Sequence, residues 1–120
     1  MSMKILIVED DEIVLKIIEH QLEAEGYKII TAQDGMMAFE IIKKNNIDLI
    51  ISDIMMPNMT GLTMLSLLKR FYYNKIPIIF ISSLDQADLI TKSLGLGVED
   101  YLVKPINFPE LLMKVKKYAA

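Results

Sequence analysis

The chain has 120 residues, 52% of them hydrophobic and 24% charged, with a formal net charge of −3 and a pI near 5.1. That is one domain's length with enough apolar mass for a core, so residues 1–120 are expected to form a single domain, and the acidic balance argues against direct electrostatic binding of nucleic acid. With no cysteine, disulfides, zinc thiolates and thiol redox chemistry are excluded, which fits a reducing, cytoplasmic setting. No apolar run approaches the ~20 residues of a membrane span, and Met1-Ser2-Met3-Lys4 leads directly into a strand-like run instead of a signal peptide.

Lys4 to Val8 reads as a buried strand with Glu9-Asp10-Asp11-Glu12 at its carboxyl end. A helix follows from about Glu12 to Glu25, with Ile13, Ile17 and Leu22 near helical spacing and Gly26 as its stop. Lys28 to Ala32 is a second strand, rich in β-branched residues. Gln33-Asp34-Gly35 turns the chain into a helix over Met36–Lys44. The run Ile47-Asp48-Leu49-Ile50-Ile51-Ser52 has the continuous apolar character of a strand buried on both faces, and it ends on Asp53. Thr60 or Gly61 opens a third helix reaching about Phe71. Pro77 starts a strand, Ile78–Ile81, that ends at Ser82-Ser83. A fourth helix runs from about Asp85 to Leu94, stopped by Gly95 and Gly97. Tyr101–Val103 is a last short strand before Lys104-Pro105. Asn107, with Glu110 three residues on, signals the cap of a final helix that turns Leu111, Leu112 and Val115 inward. Its Lys114, Lys116 and Lys117 lie toward the negative end of the helix dipole.

Strand and helix alternate about five times, which implies a parallel α/β sheet with helices on both faces. For so short a chain the doubly wound, flavodoxin-like order 2-1-3-4-5 fits. Strands one and three are then neighbours at the switch point, and Glu9, Asp10 and Asp53 share one crevice. Ser82 and Lys104 end the fourth and fifth strands along the same edge. Three carboxylates brought together repel one another unless a cation sits among them, and a hard divalent ion such as Mg²⁺ suits oxygen ligands. With a lysine nearby, a carboxylate oxygen of Asp53 can attack a phosphoryl group to give an acyl phosphate.

At these residues the chain resembles the response-regulator receiver domains (CheY-like) of bacterial two-component signalling. The resemblance rests on Ile7-Val8-Glu9-Asp10, on Asp53-Ile54-Met55-Met56-Pro57 with Gly61, on Ser82, and on Tyr101-Leu102-Val103-Lys104-Pro105, and covers nearly the whole chain. It implies that Asp53 is the phosphoacceptor and that Glu9 and Asp10, with Asp53 and the Met55 backbone carbonyl, hold Mg²⁺, for which Mn²⁺ can substitute. It further implies that Ser82 is the switch hydroxyl, Lys104 the phosphate partner, Tyr101 a rotating aromatic and Lys104-Pro105 a cis peptide. The implied donor is a sensor histidine kinase or phosphotransfer protein. The implied listener is an output domain or effector protein, reached through the face of the fourth helix, fifth strand and fifth helix. That face also serves phosphorylation-dependent dimers in the transcription-factor branch, whose crossed ion pairs Asp100, Glu110 and Lys114 match, with Ile90 where a basic residue is expected; the alternative is a monomer. In relatives, the residues two past the phosphoacceptor and two past the switch hydroxyl flank the approach of water. Here they are Met55 and Leu84, both apolar.

Other readings compete for single residues and for the whole chain. Asp11 and Glu12 read as first-turn helix acids, the lysines of the last helix as a solvated face, and the methionines mostly as core. His20 stands mid-helix with no partner in view. An aspartate-nucleophile phosphatase of the haloacid dehalogenase type usually has a second acid two residues after its nucleophile, where this chain has Met55. A flavodoxin-like cofactor binder has a phosphate loop where this chain has acids. A pseudo-receiver scaffold would not need the intact set of Glu9, Asp10, Asp53, Ser82 and Lys104. The expected chemistry is therefore self-directed, a switch instead of a turnover enzyme.

Overall fold

The computed structural model describes residues 3–56, 59–71, 75–83 and 100–119. Pro57, Leu84, Ile90 and the expected helix Asp85–Leu94 with its Gly95 and Gly97 stop lie outside the described residues. The described elements are β1 (Lys4–Val8), α1 (Glu12–Ala24), β2 (Lys28–Ala32), α2 (Gly35–Lys44), β3 (Leu49–Asp53), α3 (Gly61–Arg70), β4 (Ile78–Ser82), β5 (Asp100–Val103) and α4 (Phe108–Ala119). All strands pair in parallel, in the order β2-β1-β3-β4-β5. This is the doubly wound order read from the sequence.

The central strands β1, β3 and β4 form because their residues are apolar on both faces. Ile5, Ile7, Leu49, Ile51, Ile79, Ile81 and Leu102 pack on one side against Leu15, Ile18 and Leu22 of α1 and Leu111 and Val115 of α4. The intervening Leu6, Val8, Ile50, Ile78 and Phe80 pack on the other side against Ala38 and Ile42 of α2 and Met64, Leu65 and Leu68 of α3. Fully burying each such side chain contributes roughly 1.5–3 kcal/mol, so the two layers fix the sheet firmly.

Helix ends follow their capping residues. Asp11 caps α1 by accepting from the Ile13 and Val14 N–H groups at 3.0 and 3.2 Å. Asp34 caps α2 by accepting from the Met37 N–H, and Thr60 caps α3 by accepting from the Thr63 N–H. Asn107 accepts from the Glu110 N–H at 3.0 Å at the start of α4. Gly26 takes φ +91° just past α1, the left-handed conformation that ends a helix at little cost only in glycine.

Three expectations need correcting. The inward face of α1 is Leu15, Ile18 and Leu22, while Ile13 and Ile17 are 73% and 44% exposed. At roughly 100° per residue Leu22 stands about half a turn round from Ile13, so those two cannot share one face. The methionines also divide: Met56 and Met64 are core, but Met36, Met37, Met55 and Met113 are exposed. Asp11 is a cap, one position before the first helical turn.

Candidate functional site

The sheet's alternation builds the site. Val8 pairs with Ser52 and Asp53 with Ile81, so Glu9, one step past β1, comes level with Asp53 at the end of β3. The period that turns Ile5, Ile7, Leu49, Ile51 and Leu102 toward α1 and α4 carries Glu9, Asp53 and Lys104 to that same face. Ser82 continues the opposite series from Ile78 and Phe80. All stand at the carboxyl ends of their strands.

Lys104 Nζ donates to Asp53 Oδ2 at 3.0 Å and stands 3.3 Å from Glu9 Oε1, an ion-pair distance without hydrogen-bond geometry. The Asp11 N–H donates to Glu9 Oε2 at 3.2 Å, and the Met55 N–H to Asp53 Oδ1 at 3.1 Å. Glu9 and Asp53 are 1% and 6% exposed, whereas Asp10 is open to solvent. Glu9, Asp10 and Asp53 each bring a carboxylate oxygen within 4.8 Å of the others. The Lys104–Pro105 peptide is cis. Ser82 Oγ is buried with no hydrogen-bond partner among the described residues.

Charge and burial oppose one another here. Burial pushes the Glu9 carboxyl up from 4.5 to about 7, and the Asp53 charge adds to this against the Asp11 N–H and Lys104, which lower it. Burial works against the Lys104 ammonium, but its bond to Asp53 and the charges of Asp53 and Glu9 hold its pKa above the usual value. One ammonium thus serves two buried carboxylates, with a third acid at the rim. A second cation fits this donor set: the oxygens are hard, they converge, and Glu9 Oε1 has no hydrogen-bond partner among the described residues.

Asp100 begins β5 and is shared by Lys114 Nζ at 2.9 Å and Lys117 Nζ at 3.6 Å, both on α4. These pairs are made within the chain; Glu110 is exposed at the start of α4. Tyr101 is 37% exposed, on the outer part of the sheet beside Phe80 in register. His20 is exposed on α1. Two contacts had no signal in the sequence: the Asp11 backbone orienting Glu9, since a backbone donor leaves no residue signature, and the reach of Lys104 to Glu9 as well as Asp53.

The comparisons agree with this geometry. The family model described as the response regulator receiver domain matches residues 5–116. The nisin biosynthesis regulatory protein NisR of Lactococcus lactis subsp. lactis is 37% identical over 116 residues, covering 97% of this chain and 50% of NisR. The response regulator MprA of Mycobacterium sp. (strain KMS) is 34% identical over 116 residues, again covering 97% of this chain and 50% of the relative. The chain thus spans about half the length of these curated relatives. Among solved structures, the receiver domain of the Francisella response regulator 1452 matches with a TM-score of 0.89 at 33% identity, covering 98% of this chain and 97% of that one. The chemotaxis response regulator CheY4 of Vibrio cholerae matches with a TM-score of 0.89 at 29% identity, covering 98% and 99%. No helix among the described residues is long and apolar enough to cross a membrane. With its fold, its strand-end acids and its relatives in accord, the chain belongs to the response regulator receiver domain family of two-component signalling.

Proposed function

We propose that this domain is a phosphorylation-controlled switch in which Asp53 accepts a phosphoryl group. The observation that carries the reading is Lys104 Nζ at 3.0 Å from Asp53 Oδ2, in a crevice that also holds Glu9 and Asp10. An Asp53 carboxylate oxygen attacks phosphorus, forming a C–O–P acyl phosphate. The bond from phosphorus to the donor breaks, and its electron pair leaves with the donor atom, an imidazole nitrogen in a phosphohistidine. Glu9, Asp10, Asp53 and the Met55 carbonyl would hold Mg²⁺, or Mn²⁺ in its place, which supplies positive charge against the phosphoryl oxygens when bound. Lys104 would balance the same charge, and the Met55 N–H fixes the carboxylate's orientation.

The added group brings about −1.5 to −2 charge and new acceptor oxygens. Ser82 Oγ, buried and unpaired among the described residues, then gains an acceptor. Its shift toward the phosphoryl group frees space for Tyr101 to turn inward and reshapes the face built on β5 and α4. The output is a shift between two populations, set by contacts that differ between them. A sensor histidine kinase or phosphotransfer protein is the donor, and an output domain or effector is the listener, in the cytoplasm. The domain acts as a monomer or as a phosphorylation-dependent dimer through that face.

The test is intact-protein mass after adding a small phosphodonor with Mg²⁺, for wild type and Asp53→Asn. A metal-dependent gain of about 80 Da, the mass of HPO₃, lost in the variant, supports the switch. No gain with any donor overturns it in favour of a scaffold. Steady phosphate release from phosphoesters without a lasting adduct overturns it in favour of a phosphatase.

A further inference from the structure

Gly35 opens α2 in a buried position, and Met59, in the connection between β3 and α3, lies directly against it. A Cβ on Gly35 would stand 2.8 Å from Met59 Cβ, 3.0 Å from Met59 Cγ and 3.1 Å from the Met59 carbonyl oxygen. A methionine tip can swing away from such a contact. Its Cβ and carbonyl oxygen cannot, because they are fixed to the backbone. The constraint at Gly35 is space, not conformation: among the described glycines only Gly26 has a left-handed φ.

Neither side of the contact is free to retreat. The start of α2 is held by the Asp34 cap and by Ala38 and Ile42 in the core. Met59 packs against that same core. The connection it belongs to is tied by Ile54 N–H to Ile81 O at 3.0 Å and by Gly61 N–H to Ile54 O at 2.8 Å. Between those ties the Met55 N–H holds Asp53 Oδ1 at 3.1 Å. Met59 and Met55 thus belong to one connection, closed at its ends by the Gly61–Ile54 and Ile54–Ile81 bonds, with the Asp53 carboxylate held at its start.

We infer that Gly35 is a positioning residue: its missing side chain seats Met59, and through the β3–α3 connection it sets the Met55 backbone against Asp53. This rests on the reading that Asp53 and the Met55 carbonyl belong to the metal-dependent phosphoryl site. Residues outside a metal's ligand set that orient its ligands commonly change affinity 10–100-fold when replaced.

The experiment compares Gly35→Ala and Met59→Ala with Gly26→Ala. The last strains a left-handed glycine with nothing within 4 Å of the added Cβ. Amide hydrogen exchange at Ile54, Met55 and Met56 is read together with Mg²⁺ affinity by calorimetry and stability in urea. Gly35→Ala is expected to speed exchange at Met55 and to weaken Mg²⁺ binding about tenfold, with Met59→Ala a smaller change in the same direction. Gly26→Ala is expected to lower stability and leave both other readouts at wild-type values. If Gly35→Ala lowers stability but Met55 exchange and metal affinity match Gly26→Ala, the role is structural and the inference is overturned. Should Gly35→Ala fail to fold, Met59→Ala decides by the same two readouts. Exchange needs no metal, so a wild type that binds no Mg²⁺ counts against the phosphoryl-transfer reading alone, and the exchange data still judge Gly35.

Discussion

Protonation of Glu9 should govern how this site takes up a divalent ion. Its carboxyl is 1% exposed and is raised from 4.5 to about 7 by burial and by the Asp53 charge. A metal ligand must be ionised, so the proton has to leave as the ion enters. At pH 6, below that value, Glu9 is mostly protonated, so Mg²⁺ affinity there is expected to be several-fold below that at pH 8, on the order of tenfold. The same shift sets the stability of the metal-free protein. The folded-state pKa lies above the unfolded one, so the stabilising effect of the proton is fully present below pH 4.5 and is lost as pH rises through about 7. The whole displacement corresponds to roughly 3–4 kcal/mol as an upper limit, which bound Mg²⁺ should offset at high pH. Calorimetric titration with Mg²⁺ at pH 6, 7 and 8, in two buffers of different ionisation enthalpy, measures both affinity and protons released. Close to one proton per metal is expected at pH 6 and almost none well above pH 8. Urea unfolding with and without Mg²⁺ supplies the stability curve, with Glu9→Gln as the variant that removes this titration. Constant affinity between pH 6 and 8 with no proton release would refute the reasoning.

Three further outcomes are expected. Gly61→Ala would place a Cβ 2.6 Å from Phe80 Cε1 and 3.1 Å from Ile54 Cα. Overpacking of that kind costs about 1–3 kcal/mol in urea unfolding, and pairing it with Phe80→Leu should recover part of the loss; unchanged stability in the single variant would count against the packing described. Ser82→Ala removes a buried hydroxyl with no partner among the described residues, so resting stability should hold or rise by up to ~1 kcal/mol. The same variant should still gain the phosphoryl mass yet lose most of the phosphate-dependent change in the β5–α4 face seen by NMR, and a full change would remove Ser82 from the switch. Met55, 44% exposed beside Asp53, presents a thioether where a polar side chain would help align water. Met55→Asn should shorten the lifetime of the acyl phosphate several-fold, and an unchanged decay of the phosphorylated mass would exclude this role.

The sheet was legible in the sequence because its strands are short apolar runs that stop at polar residues. Lys4–Val8 ends at Glu9 and Ile78–Ile81 at Ser82, and both stops belong to the site. Parallel pairing then brings residues far apart in sequence to one edge with no further information. The inner face of α1 was not legible in the same way. Ile13, Val14, Leu15, Ile17 and Ile18 are apolar nearly all round the helix, and only packing on Ile5, Ile7 and their neighbours selects Leu15, Ile18 and Leu22. The elevated Glu9 pKa was also hidden. The sequence shows an acid after a strand, but the shift depends on burial to 1% exposure and on Asp53 alongside, both products of the closed fold. The pairing of Asp100 with Lys114 inside the chain follows from how β5 and α4 lie, whereas the residue types alone fit contacts within a chain or between chains.

The alternation along the strands divides the site between the two sides of the sheet. Glu9, Asp53 and Lys104 belong to the series facing α1 and α4, while Ser82 follows Ile78 and Phe80 toward α2 and α3. Within the sheet, the backbone lies between these two series of side chains. Only beyond the strand ends does that partition stop. A phosphoryl group on Asp53, as proposed above, would lie beyond the strand ends, where residues of both layers are within reach. On the proposed reading, the carboxyl-terminal edge is where the two sides of the sheet meet: the residues that would make and hold the covalent mark lie on one, and the hydroxyl that would read it lies on the other.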